Sequence, residues 1–154
     1  MAKIVVGVDG SPGAAQALEW AVAEAALRKA ALHVVHAWMV PLIEAIPDAW
    51  VIGSPSVEPT DEEVYKHLAA SSRKVLDQAL DQARALEPEL ELVGELMEMR
   101  AAAALIAAAE DAELLVVGSR GRGGFTGLLL GSVSAQCVHH APCPVVIVPV
   151  GTES

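Results

Sequence analysis

Short apolar runs alternating with longer stretches of helical spacing predict an open parallel α/β sheet with helices on both faces. Composition agrees: 53% of the 154 residues are apolar but only 3% are aromatic, so the core is built from Val, Leu, Ile and Ala. Such a core suits a sheet buried on both faces beneath alanine-rich helices. The length fits one domain, 1–154, able to bury a core of its own.

Lys3 to Asp9 reads as the first strand, apolar except at its ends. Gly10-Ser11-Pro12 turns it into a helix, with Ser11 as N-cap and Pro12 at the first helical position. That helix is expected to reach about Ala30, with Leu18, Ala21, Val22, Ala25 and Leu27 facing inward. Leu32 to Trp38 is the second strand. Met39 to Pro59 is punctuated by Pro41, Pro47, Pro55 and Pro59 and cannot be regular. It carries Ile43, Ile46, Trp50, Val51 and Ile52, which suits a flap over a ligand or an excursion packed on a partner.

Thr60-Asp61-Glu62-Glu63 has the form of a capping box. Its helix is expected to run to about Leu86, with Val64, Leu68, Ser71, Val75, Ala79 and Leu86 on one face. Leu90 to Glu98 is the third strand, Arg100 to Asp111 an alanine-rich helix, and Leu114 to Val117 the fourth strand. A further helix leads to Pro144–Pro149, the fifth strand. Strands separated by crossover helices imply right-handed parallel connections.

The net charge of −10 argues against non-specific nucleic-acid binding, which depends on basic surface. No apolar run approaches the length of a membrane span. The chain enters a strand at Lys3, leaving no room for a signal peptide, so a cytoplasmic protein is expected. Cys137 and Cys143 do not make a disulfide framework. His139 and His140 lie between them, but adjacent helical residues point about 100° apart and the set lacks a second ligand pair at zinc spacing. They read as helix-end histidines between two small core thiols.

The stretch from Leu114 to Val150 concentrates the chemistry. It holds no acidic residue, Arg120 and Arg122 are its only full charges, and Gly118, Gly121, Gly123, Gly124, Gly127 and Gly131 punctuate it. Ser132 is placed to cap the helix that follows. A glycine-rich loop between a strand and a helix N-terminus offers backbone N–H groups to an anion, so the stretch reads as a phosphate site. It is not a Walker loop, because Gly124 and Phe125 stand where Lys and Ser/Thr belong. The dinucleotide fingerprint fails as well, since Thr126 occupies the third glycine position.

What remains is Gly118-x2-Gly121-x9-Gly131-Ser132, preceded by a strand and followed by PCPVVIVP. This pattern resembles the nucleotide-binding signature of the universal stress protein family, as does VVGVDGS from Val5 to Ser11. The resemblance covers nearly the whole chain. It implies a Rossmann-like sheet of strand order 3-2-1-4-5, in which the first and fourth strands are neighbours at the topological switch point. Ligands of open α/β sheets bind in the crevice at such a point, which Asp9 and Gly118 would both border.

The resemblance then implies an ATP site, or a site for another adenine nucleotide. Gly7, Val8, Asp9 and Ser11 come from the first motif, and Gly118, Arg120, Gly121, Arg122, Gly123, Gly124, Gly131, Ser132, Val133 and Ser134 from the second. Val8 and Ala37 would wall the base, with backbone groups reading its edge, and Ser132 and Ser134 would offer hydroxyls to phosphate. Asp9 reads either as a turn former or as an acceptor for a ribose hydroxyl, an adenine amine or a magnesium ion. Trp38 and Trp50 read as packing, and His36 stands near the crevice.

No nucleophile–base pair or Walker lysine is visible, so binding without efficient turnover is expected. Three roles stay open: a nucleotide-binding regulator of stress responses; a slow ATPase or cyclic-AMP binder using the same crevice; and a nucleotide-free dimeric scaffold. A homodimer through Pro144–Pro149 is expected, because this strand is apolar, uncharged and, in the implied order, at the sheet edge.

Overall fold

The computed structural model describes residues 2–40, 61–120 and 130–150. The strands are β1 (Lys3–Gly7), β2 (Ala31–Trp38), β3 (Leu92–Glu98), β4 (Leu114–Gly118) and β5 (Val145–Val148). They alternate with helices α1 (Pro12–Arg28), α2 (Asp61–Leu86), α3 (Ala101–Ala108) and α4 (Ser132–His140). The sheet has the order β3-β2-β1-β4-β5, and every neighbouring pair is parallel. Chain direction across the sheet reverses between β1 and β4. Polypeptide therefore leaves those two strand ends toward opposite faces and opens a crevice there.

Strand alternation divides the core. Ile4, Val6, Leu32, Val34, Leu114 and Val116 face α1 and α2, with Leu18, Val22, Leu76 and Leu80 packed on them. Val5, Val35, Leu115 and Val117 face the opposite layer, where Leu105 and Ala108 of α3 and Cys137 of α4 cover them. The period of two between consecutive side chains is what lets these short strands be buried on both sides.

The start of α1 follows the sequence closely. Ser11 is its N-cap, its side chain accepts the Ala14 N–H, and Pro12 begins the helix. Lys29 closes it in the left-handed region at φ 57, so the helix ends at Arg28 rather than at Ala30. Leu27 lies within α1 on the face turned away from Leu18, Val22 and Ala25, and is 78% exposed rather than inward. Likewise α3 ends at Ala108, and Asp111 takes a left-handed φ of 64.

The inward face of α2 differs from the expected one. Ser72, Leu76, Ala79, Leu80 and Ala83 are buried, whereas Ser71 is exposed and Leu86 is 45% exposed. The helix is rotated so that its leucines dock on the sheet. Leu80 takes the space over Gly94 of β3, where an added Cβ would stand 2.7 Å from Leu80 Cδ1. Residues 41–59 and Thr60 of the expected capping box lie outside the described residues.

The two sheet edges differ in chemistry. On β3, Glu95 pairs with His33 of β2 at 3.0 Å, and Glu98 accepts from Tyr65 Oη at 3.1 Å while Tyr65 packs on Trp38. At the other edge Val145, Val146, Ile147 and Val148 are all half-buried. Among the described residues no helix is long and apolar enough to cross a membrane.

Cys137 is fully buried, and burial pushes its thiol up from an ordinary 9.0 to about 11. Above pH 9 the unfolded chain releases this proton while the folded one keeps it. The thiol's contribution to stability is thus complete below pH 9 and is lost as pH rises through 11. At about 1.4 kcal/mol per unit, the loss is on the order of 2 kcal/mol at pH 11. Urea midpoints should therefore fall more steeply above pH 9 in wild type than in Cys137→Ala. Parallel curves would assign the alkaline loss to other groups.

Candidate functional site

The segment leaving β1 is bound tightly to its neighbours. The Val8 N–H donates to the Val35 carbonyl at 2.9 Å, and the Val8 carbonyl accepts from His36 Nδ1 at 2.8 Å. Buried His36 thereby fixes the strand end. The Val8 N–H is not available to read a base, and one carbonyl lone pair remains. Asp9 Oδ1 accepts the Ser11 N–H at 2.9 Å, an Asx turn that drives the chain into α1. Gly10 supports this turn with φ 83, a conformation glycine adopts without a Cβ penalty.

The segment leaving β4 meets α1 backbone to backbone. A Cβ on Gly118 would stand 3.0 Å from the Gly13 carbonyl oxygen. One on Gly13 would stand 2.8 Å from the Arg120 carbonyl oxygen and 3.1 Å from Val150 Cγ2. The two motifs thus converge at the switch point, joined through positions that tolerate no side chain. Gly7 serves packing of another kind, since its Cβ would fall 2.8 Å from Leu105 Cδ1 on the α3 side of the sheet.

Ser119 closes the glycine-rich stretch. Its carbonyl accepts the Gly131 N–H at 2.7 Å and lies 3.0 Å from Ser134 Oγ, which is also 3.0 Å from the Gly131 carbonyl. Its N–H donates to the Val148 carbonyl at 2.9 Å, and its Oγ accepts the Val150 N–H at 3.2 Å. Ser119 is 8% exposed. A serine inside a glycine-rich run reads as a turn former, so nothing in the spacing marks it.

These bonds redistribute the expected roles. Gly131, not Ser132, is the N-cap of α4, and no side chain bonds the cap position. Ser132 begins the helix because the backbone bond from Gly131 to Ser119 already sets the entry angle. The Gly131 N–H and the Ser134 hydroxyl are engaged with protein carbonyls rather than presented to a ligand. Exposed at the helix start are Ser132 and Val133, whose N–H groups, with that of Ser134, have no intrahelical partner. Arg120 is half-buried at the mouth of the loop, and Ala37 lies one strand further out, in register with Met97. Gly121, Arg122, Gly123 and Gly124 lie outside the described residues.

Among the described residues no three His, Cys, Asp or Glu side chains are grouped to hold a metal. His139 and His140 are exposed on the last turn of α4, and Cys143 is half-buried with its thiol raised by desolvation.

A parallel sheet with a helix N-terminus and two converging strand ends at its switch point defines an open, doubly wound α/β protein. A sequence model of the universal stress protein family matches residues 1–149, and the chain belongs to that family. A universal stress protein of Mycobacterium tuberculosis is 38% identical over 153 residues, covering 94% of this chain and 46% of the relative. The chain spans about half the length of the curated relatives it matches. Among solved structures, a universal stress protein from Lactobacillus plantarum superposes with a TM-score of 0.75 at 22% identity. That match covers 96% of this chain and 97% of the other. A universal stress protein in complex with cAMP gives 0.68 at 27% identity, over 97% and 98%.

The backbone contact at Gly13 is directly testable. Gly13→Ala should lower stability by about 1–3 kcal/mol, the usual range for overpacking, because the atom it meets is main chain and cannot rotate away. An unchanged melting temperature would mean that α1 and the end of β4 are not held this closely.

Proposed function

We propose that the chain binds an adenine nucleotide, ATP foremost, at the crevice between β1 and β4, and acts as a regulator through binding rather than turnover. One observation carries this reading. The bond between Ser119 and Gly131 ties the start of α4, whose first N–H groups have no intrahelical partner, to the end of β4 at the switch point. Helix N-termini attract anions through these N–H groups and the helix dipole. The cAMP complex of a relative at 27% identity supports an adenine nucleotide as the ligand. Arg120 would add positive charge at the phosphates, as would Arg122 from the glycine-rich segment.

Asp9, whose Oδ1 accepts the Ser11 N–H, would be the carboxylate to face a magnesium ion. Magnesium commonly takes one or two carboxylates and completes its shell with substrate phosphates and water. Bound magnesium would neutralise phosphate charge. The chain's own part is to orient the phosphates on α4 and the nucleoside along the β1 end.

Titration calorimetry with ATP, AMP, cyclic AMP and adenosine, with and without magnesium, tests the reading. ATP should bind, and Arg120→Ala should weaken ATP by about tenfold, the worth of one charge-assisted hydrogen bond, while leaving adenosine unchanged. Absence of binding to every adenine compound would favour the nucleotide-free scaffold.

We further propose a homodimer through β5. Its half-buried valines and isoleucine present an uncharged edge able to pair antiparallel with a second copy. Val146→Lys should shift the sedimenting species toward monomer. A wild-type monomer at micromolar concentration would exclude the interface.

A further inference from the structure

The geometry points to Ser119 as a positioning residue for phosphate recognition, acting without touching the ligand. This inference rests on the crevice being the nucleotide site. Ser119 joins structural parts that sequence keeps apart. Through its carbonyl it holds Gly131 and Ser134, at 2.7 and 3.0 Å, and so sets where α4 begins. Through its hydroxyl it holds the Val150 N–H at 3.2 Å. Val150 in turn lies against Gly13, where a Cβ would meet its Cγ2 at 3.1 Å. The first turn of α1, the end of β5 and the N-terminus of α4 are thus registered to one buried serine.

The consequence is specific to anions. An N–H group must lie about 2.9 Å from its acceptor and nearly in line with it, and the interaction weakens steeply off that geometry. A small shift of the α4 start therefore costs phosphate contacts while leaving the β1 side, held by His36 and Val35, in place. Ser119→Ala keeps the main-chain bonds to Gly131 and Ser134; what it removes is the anchor of Ser119 to the Val150 N–H, and the loosened Ser119 main chain carries the α4 start with it. Ser134 acts in the same unit from the helix side, since its one hydroxyl hydrogen is directed to the carbonyls of Ser119 and Gly131.

The test compares Ser119→Ala, Ser119→Thr and Ser134→Ala, with ATP and adenosine each titrated calorimetrically against the full chain. Ser119→Ala and Ser134→Ala should each weaken ATP about fivefold, as expected for loss of one hydrogen bond of about 1 kcal/mol. Adenosine affinity should stay unchanged, and Ser119→Thr, which keeps the hydroxyl, should restore ATP binding. Equal losses for ATP and adenosine would reduce Ser119 to general scaffolding, and no loss for ATP would remove it altogether. If Ser119→Ala does not fold, Ser134→Ala and Ser119→Thr decide by the same comparison. A wild-type chain that binds neither compound overturns the nucleotide reading itself. Wild-type binding that the variants do not change overturns only the role of Ser119.

Discussion

The site depends on a close approach of main chain to main chain at the switch point. Gly13 at the start of α1 meets Gly118 and Arg120 at the end of β4 with no side chain between them. Parallel sheets leave the ends of their central strands splayed, because each connection departs over a different face. Here that splay is limited by the glycine contact on one side and by hydrogen bonds of Ser119 on the other. The start of α1 and the end of β4 are consequently held close together at the switch point. Adding even one methyl group at Gly13 would press it against main chain there.

Much of the fold was legible because local and global preferences agree. The Ser11 cap with Pro12, the apolar runs of β1 and β4 and the crossover helices each point to the same parallel sheet. Helix α1 ends where Lys29 adopts a left-handed conformation, and no glycine announces it. The face of α2 was misjudged for a different reason. Leu68, Val75, Leu76, Leu80 and Leu86 allow more than one apolar stripe, and the choice falls to the space above Gly94, which only the packed sheet defines. Strand order came from family resemblance, since periodicity carries no information on which strands become neighbours.

For the site, the convergence of the two motifs was legible once the order was supplied, while the division of labour inside them was not. The Gly131 N–H and the Ser134 hydroxyl, read from the spacing as groups facing a ligand, bond the Ser119 carbonyl. Val8 looked like a backbone reader and is largely engaged with Val35 and His36. Hydrogen-bond partners remote in sequence decide these roles, and residue type alone does not disclose which donors stay available. Gly7 makes the same point in packing: it resembles part of a binding loop but makes room for Leu105.

The two borders of the sheet carry opposite instructions for assembly. At β3, Glu95 and Glu98 line a border where a second copy would bring carboxylates beside carboxylates, in a chain already at −10. At β5 the border is short and uncharged. A protein with two receptive borders can add copies without limit and grow into ribbons, whereas one with a single receptive border can join only once and then stops. If copies join through β5, the acidic residues on β3 would act as a terminator and hold that assembly at two, independently of what occupies the crevice.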